Sequence, residues 1–282
     1  AGREGSFLTS RQIRDRLDKE LRTNLALRLE STESGDTVKV SGRGQLHLGI
    51  LVEEMRREGF EVQLSAPEVI YKTVNGSKHE PFELLTIDVE TVYQGIIMEN
   101  LGKRKAILEN MFPHGENKVK LEFKIPARGL IGFRSEFVTD TRGTGLMSHR
   151  FYSYEPYVGD LEKRTKGAMI SMEMGKATGF ALDGLQPRGI LFVKPTDEIY
   201  EGMIVGEHSR GNDLDVNPTE GKKLTNMRSS GADDAIKLAP PRVMTLEDAM
   251  DWINEDELIE VTPKSIRLRK KYLKAVDRKR SR

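Results

Sequence analysis

Apolar residues in the first part of the chain switch between helical and strand spacing. Thr9 and Gln12 form a capping-box pair, with Leu8 and Ile13 placed as a hydrophobic staple. The helix that follows is expected to bury Ile13, Leu17 and Leu21, one residue per turn. Leu25, Leu27 and Leu29 then alternate as a strand, Ser34-Gly35-Asp36 turns the chain, and Val38 and Val40 begin the next strand. Leu48, Leu51, Val52 and Met55 predict a second helix, ended by Gly59 in the left-handed conformation. Phe60, Val62 and Leu64 make a further strand.

The order α-β-β-α-β would become the β-α-β-β-α-β split ferredoxin-like unit with one strand before Ala1. A second copy follows the polar link Asn75-Gly76-Ser77-Lys78. Leu85, Ile87 and Val89 alternate; Tyr93, Ile97 and Leu101 have helical spacing, with Gly102 as the expected stop. Ala106 to Met111 reads as a strand, and Val119, Leu121, Phe123 and Ile125 alternate with charged residues. Leu130, Phe133 and Phe137 carry a helix, and Leu146 to Tyr154 returns as a strand. From Gly159 the texture changes: glycines at 167, 175, 179, 184, 189, 202 and 206 separate short apolar segments, the pattern of a barrel or sandwich. Thr245-Leu246-Glu247-Asp248 starts an acidic helix. The expected class is α+β, with ferredoxin-like modules over 1–77 and 78–157. A β-rich, barrel-like domain over 158–282 follows, carrying a long loop at 209–241 and a basic tail.

Composition narrows the chemistry. Of 282 residues, 37% are hydrophobic and 32% charged, yet the net charge is only +1, so attraction to polyanions must come from local clusters. The absence of cysteine excludes disulfides, Cys-ligated zinc and a thiol nucleophile, and fits a reducing compartment. No apolar run approaches the ~18 residues of a membrane span. No signal peptide precedes the first charges, so no membrane partner and a cytoplasmic location are expected. The start at Ala1-Gly2-Arg3-Glu4, without methionine, suggests a piece of something longer.

Nucleotide hydrolysis fails on spacing. A phosphate-binding loop needs Gly, four residues, then Gly-Lys-Ser/Thr. The Gly-Lys pairs at 102, 175 and 221 are followed by Arg104, Ala177 and Lys223. Asn117-Lys118-Val119-Lys120 lacks the Asp that would read guanine. After Gly42-Arg43-Gly44, His47 stands where a dinucleotide fingerprint needs its third glycine. The histidines His47, His79, His114, His149 and His208 form no zinc pattern, so neither a catalytic residue nor a metal ligand is expected. A rival reading keeps an RNA-acting enzyme with His47 or His149 as general base.

Basic clusters remain. Gly221 to Ser230 holds Lys222, Lys223 and Arg228 with Asn226, Ser229 and other hydroxyls, and no acid. Such a segment is either a solvated surface excursion or a holder of phosphate oxygens. The length of the whole Ser209–Pro241 loop and its few large apolar residues predict that this loop is mobile in the free protein. Lys264 to Arg282 carries ten cations against Asp277 alone. Within it Arg267, Arg269 and Lys271 alternate with apolar residues as a charged strand face, and the run beyond is either a frayed terminus or a binding arm. Two separated basic clusters fit shape-reading RNA contact.

Ser41-Gly42-Arg43-Gly44-Gln45-Leu46-His47-Leu48, with Leu51 to Gly59, resembles domain III of the translational GTPases related to elongation factor G, where the segment is written S-G-x-G-E-L-H-L. Glu80-Pro81-Phe82-Glu83, Lys103-Arg104-Lys105 and Arg128-Gly129-Leu130-Ile131-Gly132-Phe133 resemble domain V. No tRNA-mimicking domain IV separates the modules, and a β-rich domain follows where elongation factor G ends. Thr165 to Ile170, Leu185-Gln186-Pro187-Arg188-Gly189 and Gly221 to Arg228 make that last domain similar to the BipA (TypA) family rather than to LepA. The resemblance implies a GTP-binding domain, with GTP and Mg, and a β-barrel in an N-terminal part outside this chain. It implies a ribosome-stimulated GTPase in ribosome assembly and stress adaptation, and no enzyme in this piece. Implied partners are the bacterial ribosome, through rRNA and the acceptor end of A-site tRNA, and the protein's own GTP-binding domain. Carried over by position, Lys222, Lys223, Asn226 and Arg228 lie in the loop that meets tRNA, and Arg43 and His47 are interdomain residues.

Overall fold

The capping box at Thr9 forms: its hydroxyl accepts the Gln12 N–H, and Gln12 Oε1 accepts the Thr9 N–H at 3.0 Å. From it runs α1 (Ser10–Leu21), with Leu17 buried. The expected strand at Leu25 does not form. Thr23 and Asn24 N–H groups donate back to the Glu20 carbonyl, so a turn occupies these residues and Leu25 is left 95% exposed. β1 (Arg28–Ser31) pairs antiparallel with β2 (Val38–Ser41), and α2 (Gln45–Arg57) ends before Gly59, at φ +97°. β3 (Val62–Ser65) closes this stretch. Leu17, Leu27, Leu51, Met55 and Phe60 form its core.

The computed structural model describes residues 4–32, 37–115, 117–161, 164–221 and 236–280. They fall into two compact units, one of Ala1–Ala66 with Thr165–Arg282 and the other Pro67–Arg164.

The second unit runs β4 (Lys72–Val74), β5 (Ser77–Glu90), α3 (Gln94–Lys103), β6 (Ile107–His114), β7 (Lys118–Pro126), α4 (Phe133–Asp140) and β8 (Leu146–Pro156). Asn75 and Gly76 link β4 to β5 as a tight turn, both at positive φ, where the sequence suggested an inter-module link. β5 pairs with β7 and β8, and β6 pairs with β7, all antiparallel. Leu85, Ile87, Leu121 and Ile125 face Ile97, Leu101, Phe133 and Phe137 in one cluster, most of them fully buried. Each such side chain contributes about 1.5–3 kcal/mol by leaving water. Gly102 does not end α3; it lies within the helix, and Lys105, at φ +61°, makes the reversal.

The first unit continues with β9 (Ala168–Ser171), β10 (Gly175–Lys176), α5 (Gly179–Leu185), β11 (Gly189–Leu191), β12 (Glu198–Ile199), β13 (Met203–His208), β14 (Leu214–Val216), α6 (Leu246–Trp252), β15 (Glu257–Val261), β16 (Ile266–Lys270) and α7 (Ala275–Arg280). Seven strands form one sheet in the order β14-β9-β13-β16-β15-β3, with β11 also on β13. β3 joins β15 from Val62 opposite Val261 to Ser65 opposite Leu258. Both faces are covered, which is why β13 reads as an unbroken buried run. Ile170, Ile204 and Ile259 pack with Trp252 of α6, while Met169, Val205 and Val216 pack with Leu182 and Leu185 of α5. The expected barrel is corrected: the sheet stays open among the described residues, because its end strands β14 and β3 have no mutual pairing. No described helix is long and apolar enough to cross a membrane.

Candidate nucleic-acid interface

The three tail cations singled out by charge sit on or just after β16. Strand parity sends Leu268 and Lys270 to one side and Arg267 and Arg269 to the other. Arg267 Nη2 donates to Glu4 Oε1 at 2.6 Å. Burial works to raise the Glu4 pKa, but the Thr262 hydroxyl and the Arg267 guanidinium outweigh it and hold the carboxyl below its ordinary range. Arg269 lies 3.5 Å from Glu260, which also accepts the Tyr200 hydroxyl at 2.7 Å. Burial and the Glu260 charge raise the Tyr200 pKa far above the usual phenol range. Both guanidiniums are therefore largely compensated from within. Lys271 is exposed.

Lys270, which sequence reasoning counted among the tail cations without singling it out, is buried. Its Nζ stands 2.8 Å from each of Asp213, Asp256 and Glu257, with the lysine side chain 3% exposed and Glu257 completely buried. Burial alone would lower the Lys270 pKa; the Glu257 charge and bonds to all three carboxylates raise it instead. The signal was available, since a lysine two residues beyond an inward leucine shares its face. Arg278 of α7 likewise donates to Asp215 at 2.5 Å. Beyond β16 the tail forms α7, which has no buried residue and is held to the unit by Arg278.

Lys222, Lys223, Asn226, Arg228 and Ser229 lie outside the described residues. The described chain before them reaches Gly221, beside α5: the Thr178 hydroxyl that caps α5 also donates to the Glu220 carbonyl. The described chain resumes at Ile236, and the Ala239 N–H donates to Gln186 Oε1 at 3.2 Å.

Arg43 and His47 border an open depression in the first unit. His47 Nδ1 accepts the Arg43 N–H at 3.3 Å, and Nε2 lies 2.9 Å from the Asn24 side-chain amide. Leu25, Leu46 and Ile50 line the same depression and are 95%, 67% and 51% exposed, an apolar surface beside the exposed Arg43. His149, on β8 of the second unit, bonds through Nδ1 to Glu83. That bond raises its pKa above the ordinary imidazole value against the effect of burial. These arrangements hold charge and present surface; none places a general base beside a nucleophile.

Comparison with known proteins bears on what that surface meets. Residues 166–275 match the model described as "TypA/BipA C-terminal domain", and residues 77–165 match "Elongation factor G C-terminus". The chain is similar to proteins named large ribosomal subunit assembly factor BipA. Identity is 56% with that of Escherichia coli O6:H1 over 99% of this chain, and 54% with that of Haemophilus influenzae over 100%. With that of Synechocystis it is 50% over 96%. In each case the match spans 45–46% of the relative's own length.

Proposed function

The chain belongs to the TypA/BipA family, and we propose that it is the ribosome-binding part of a translational GTPase acting in assembly of the large ribosomal subunit. The observation that carries this is identity of half or more, along nearly the whole chain, with proteins whose printed name is large ribosomal subunit assembly factor. The family match favours this reading over a LepA-like factor. In it, this chain contributes no hydrolysis; GTP and Mg belong to the remainder of the protein. The depression lined by Arg43 and His47 faces that GTP-binding part, its apolar rim being suited to protein rather than RNA. The order β8-β5-β7-β6 of the second unit, with α3 and α4 as crossovers, supports the ferredoxin-like reading there.

RNA contact falls to Lys222, Lys223, Asn226, Arg228 and Ser229, with Lys271 as an outlying cation and Arg267 and Arg269 as weaker ones. A cytoplasmic location follows from a ribosomal target, with rRNA and the tRNA acceptor end as the surfaces met. The test is Lys222→Ala, Lys223→Ala and Arg228→Ala together, assayed for affinity to purified large subunits across a salt series. Each lost phosphate contact flattens the slope of log affinity against log salt by about 0.7–0.9, so three flatten it by roughly two to three. Asp233→Asn with Asp234→Asn should leave binding intact or strengthen it. Equal affinity and equal slope for wild type and triple variant would remove this segment from the interface.

A further inference from the structure

The hairpin at the start of the second unit carries charge that no motif announced. Residues 71–79, Tyr-Lys-Thr-Val-Asn-Gly-Ser-Lys-His, contain no acid, and all but His79 are exposed. Asn75 and Gly76, at φ +50° and +78°, supply the two left-handed positions of a tight two-residue turn. β4 and β5 pair with Lys72 opposite His79 and Thr73 opposite Lys78. Cross-strand partners share a face and neighbours alternate, so the two lysines lie on opposite faces of the ribbon.

Aromatic rings position both ammoniums. Lys72 Nζ lies 4.0 Å from the Tyr154 ring centroid. Lys78 Nζ lies 3.8 Å from that of Tyr71 and 4.3 Å from that of Tyr157, and those two rings meet edge to face at 6.0 Å. A ring face steadies an ammonium without neutralising it and leaves N–H donors for another acceptor. It also reduces the side-chain freedom to be lost on binding. The next acid along β5, Glu80, is fully buried and committed to Arg128. Thr73, Asn75 and Ser77 add short donors of the kind that bind phosphate and ribose oxygens.

A narrow ribbon with a fixed cation on each face fits a ligand presenting anions on both sides. Phosphate strands lining a groove of folded RNA do so; an acidic protein patch presents charge to one side. We propose that the β4–β5 hairpin inserts between two phosphate strands of folded RNA, Lys72 contacting one and Lys78 the other. This rests on the ribosome-binding reading and adds to it a contact on the other unit from Lys222, Lys223 and Arg228.

The test uses the whole 282-residue chain and purified large ribosomal subunits in a potassium chloride series. Lys72→Ala and Lys78→Ala should each flatten the salt slope by about 0.7–0.9, and the double variant by roughly twice that. Lys72→Arg with Lys78→Arg should retain the wild-type slope, which separates lost charge from a disturbed hairpin. A wild-type slope in the double alanine variant would overturn the inference while leaving the ribosome-binding reading in place. An effect from only one lysine would overturn insertion between two strands. Weaker binding at unchanged slope would identify a protein contact and overturn the RNA assignment. A wild-type chain that fails to bind at all would overturn the ribosome-binding reading, and this inference with it.

Discussion

Replacing Lys270 with Met removes a buried charge and leaves its carboxylates behind. Glu257 has no exposure and Asp213 little, so at neutral pH both would lose the ammonium that lies 2.8 Å from each. Breaking a buried ion pair by removing one partner costs about 3–5 kcal/mol, because the remaining charge is still desolvated. Asp256 is 59% exposed, and Asp256→Asn should cost under about 0.5 kcal/mol. Trp252 is the only tryptophan, is buried in the first unit, and donates to Glu207 at 2.8 Å. Its fluorescence therefore reports unfolding of the unit that contains Lys270. With a urea dependence of about 2–3 kcal/mol per molar, Lys270→Met should lower the midpoint by roughly 1–2.5 M. The raised Lys270 pKa adds a pH signature. Its contribution is fully present below the ordinary lysine pKa and is lost as pH rises through the higher folded value. A Lys270→Met midpoint within about 0.3 M of wild type would refute the reasoning, since that is less than ~1 kcal/mol at such a slope.

Glu80→Gln should destabilise the second unit by about 3 kcal/mol, measured by thermal unfolding, because Arg128 is 9% exposed and would lose its charge partner. Gly189→Ala should cost about 3 kcal/mol in denaturant titration, since an added Cβ would lie 1.9 Å from the Glu207 carbonyl oxygen. Gly184→Ala, inside α5 with nothing within 4 Å of the added carbon, should instead be neutral or stabilise by up to about 1 kcal/mol. His149 should titrate above the free imidazole value by NMR and return toward it in Glu83→Gln. The pair's stabilisation, under about 1 kcal/mol at this half-exposed site, is full below pH ~6.5 and fades as pH rises through the folded pKa.

What the sequence disclosed was mostly local. The capping box at Thr9 is set by residues three apart and forms, and the helix expected to start at Thr245 to Asp248 does start there. Leu85, Ile87 and Val89 alternate because one face of β5 is buried, so pattern and burial coincide. Leu25 misled because a turn can carry an apolar residue outward without breaking the alternation on either side. Gly102 misled because glycine permits a left-handed reversal without requiring one. Long-range pairing left no local trace: Val62 and Leu64 read as a strand, but nothing near them names β15 as the partner. In the tail, charge counting treated Arg267, Arg269, Lys270 and Lys271 alike. Glu4, Glu260 and Glu257, each remote in sequence from the cation it meets or on the neighbouring strand, decide which of them is compensated. Lys222 to Ser229 were legible as a charge cluster alone.

The most direct test of the central claim is equilibrium binding of the purified chain to isolated large and small ribosomal subunits, with chemical probing of the rRNA in each complex. The account predicts saturable, salt-sensitive binding to the large subunit without added nucleotide, together with discrete protection of its rRNA. Absence of saturable binding, or equal binding to both subunits without rRNA protection, would contradict it.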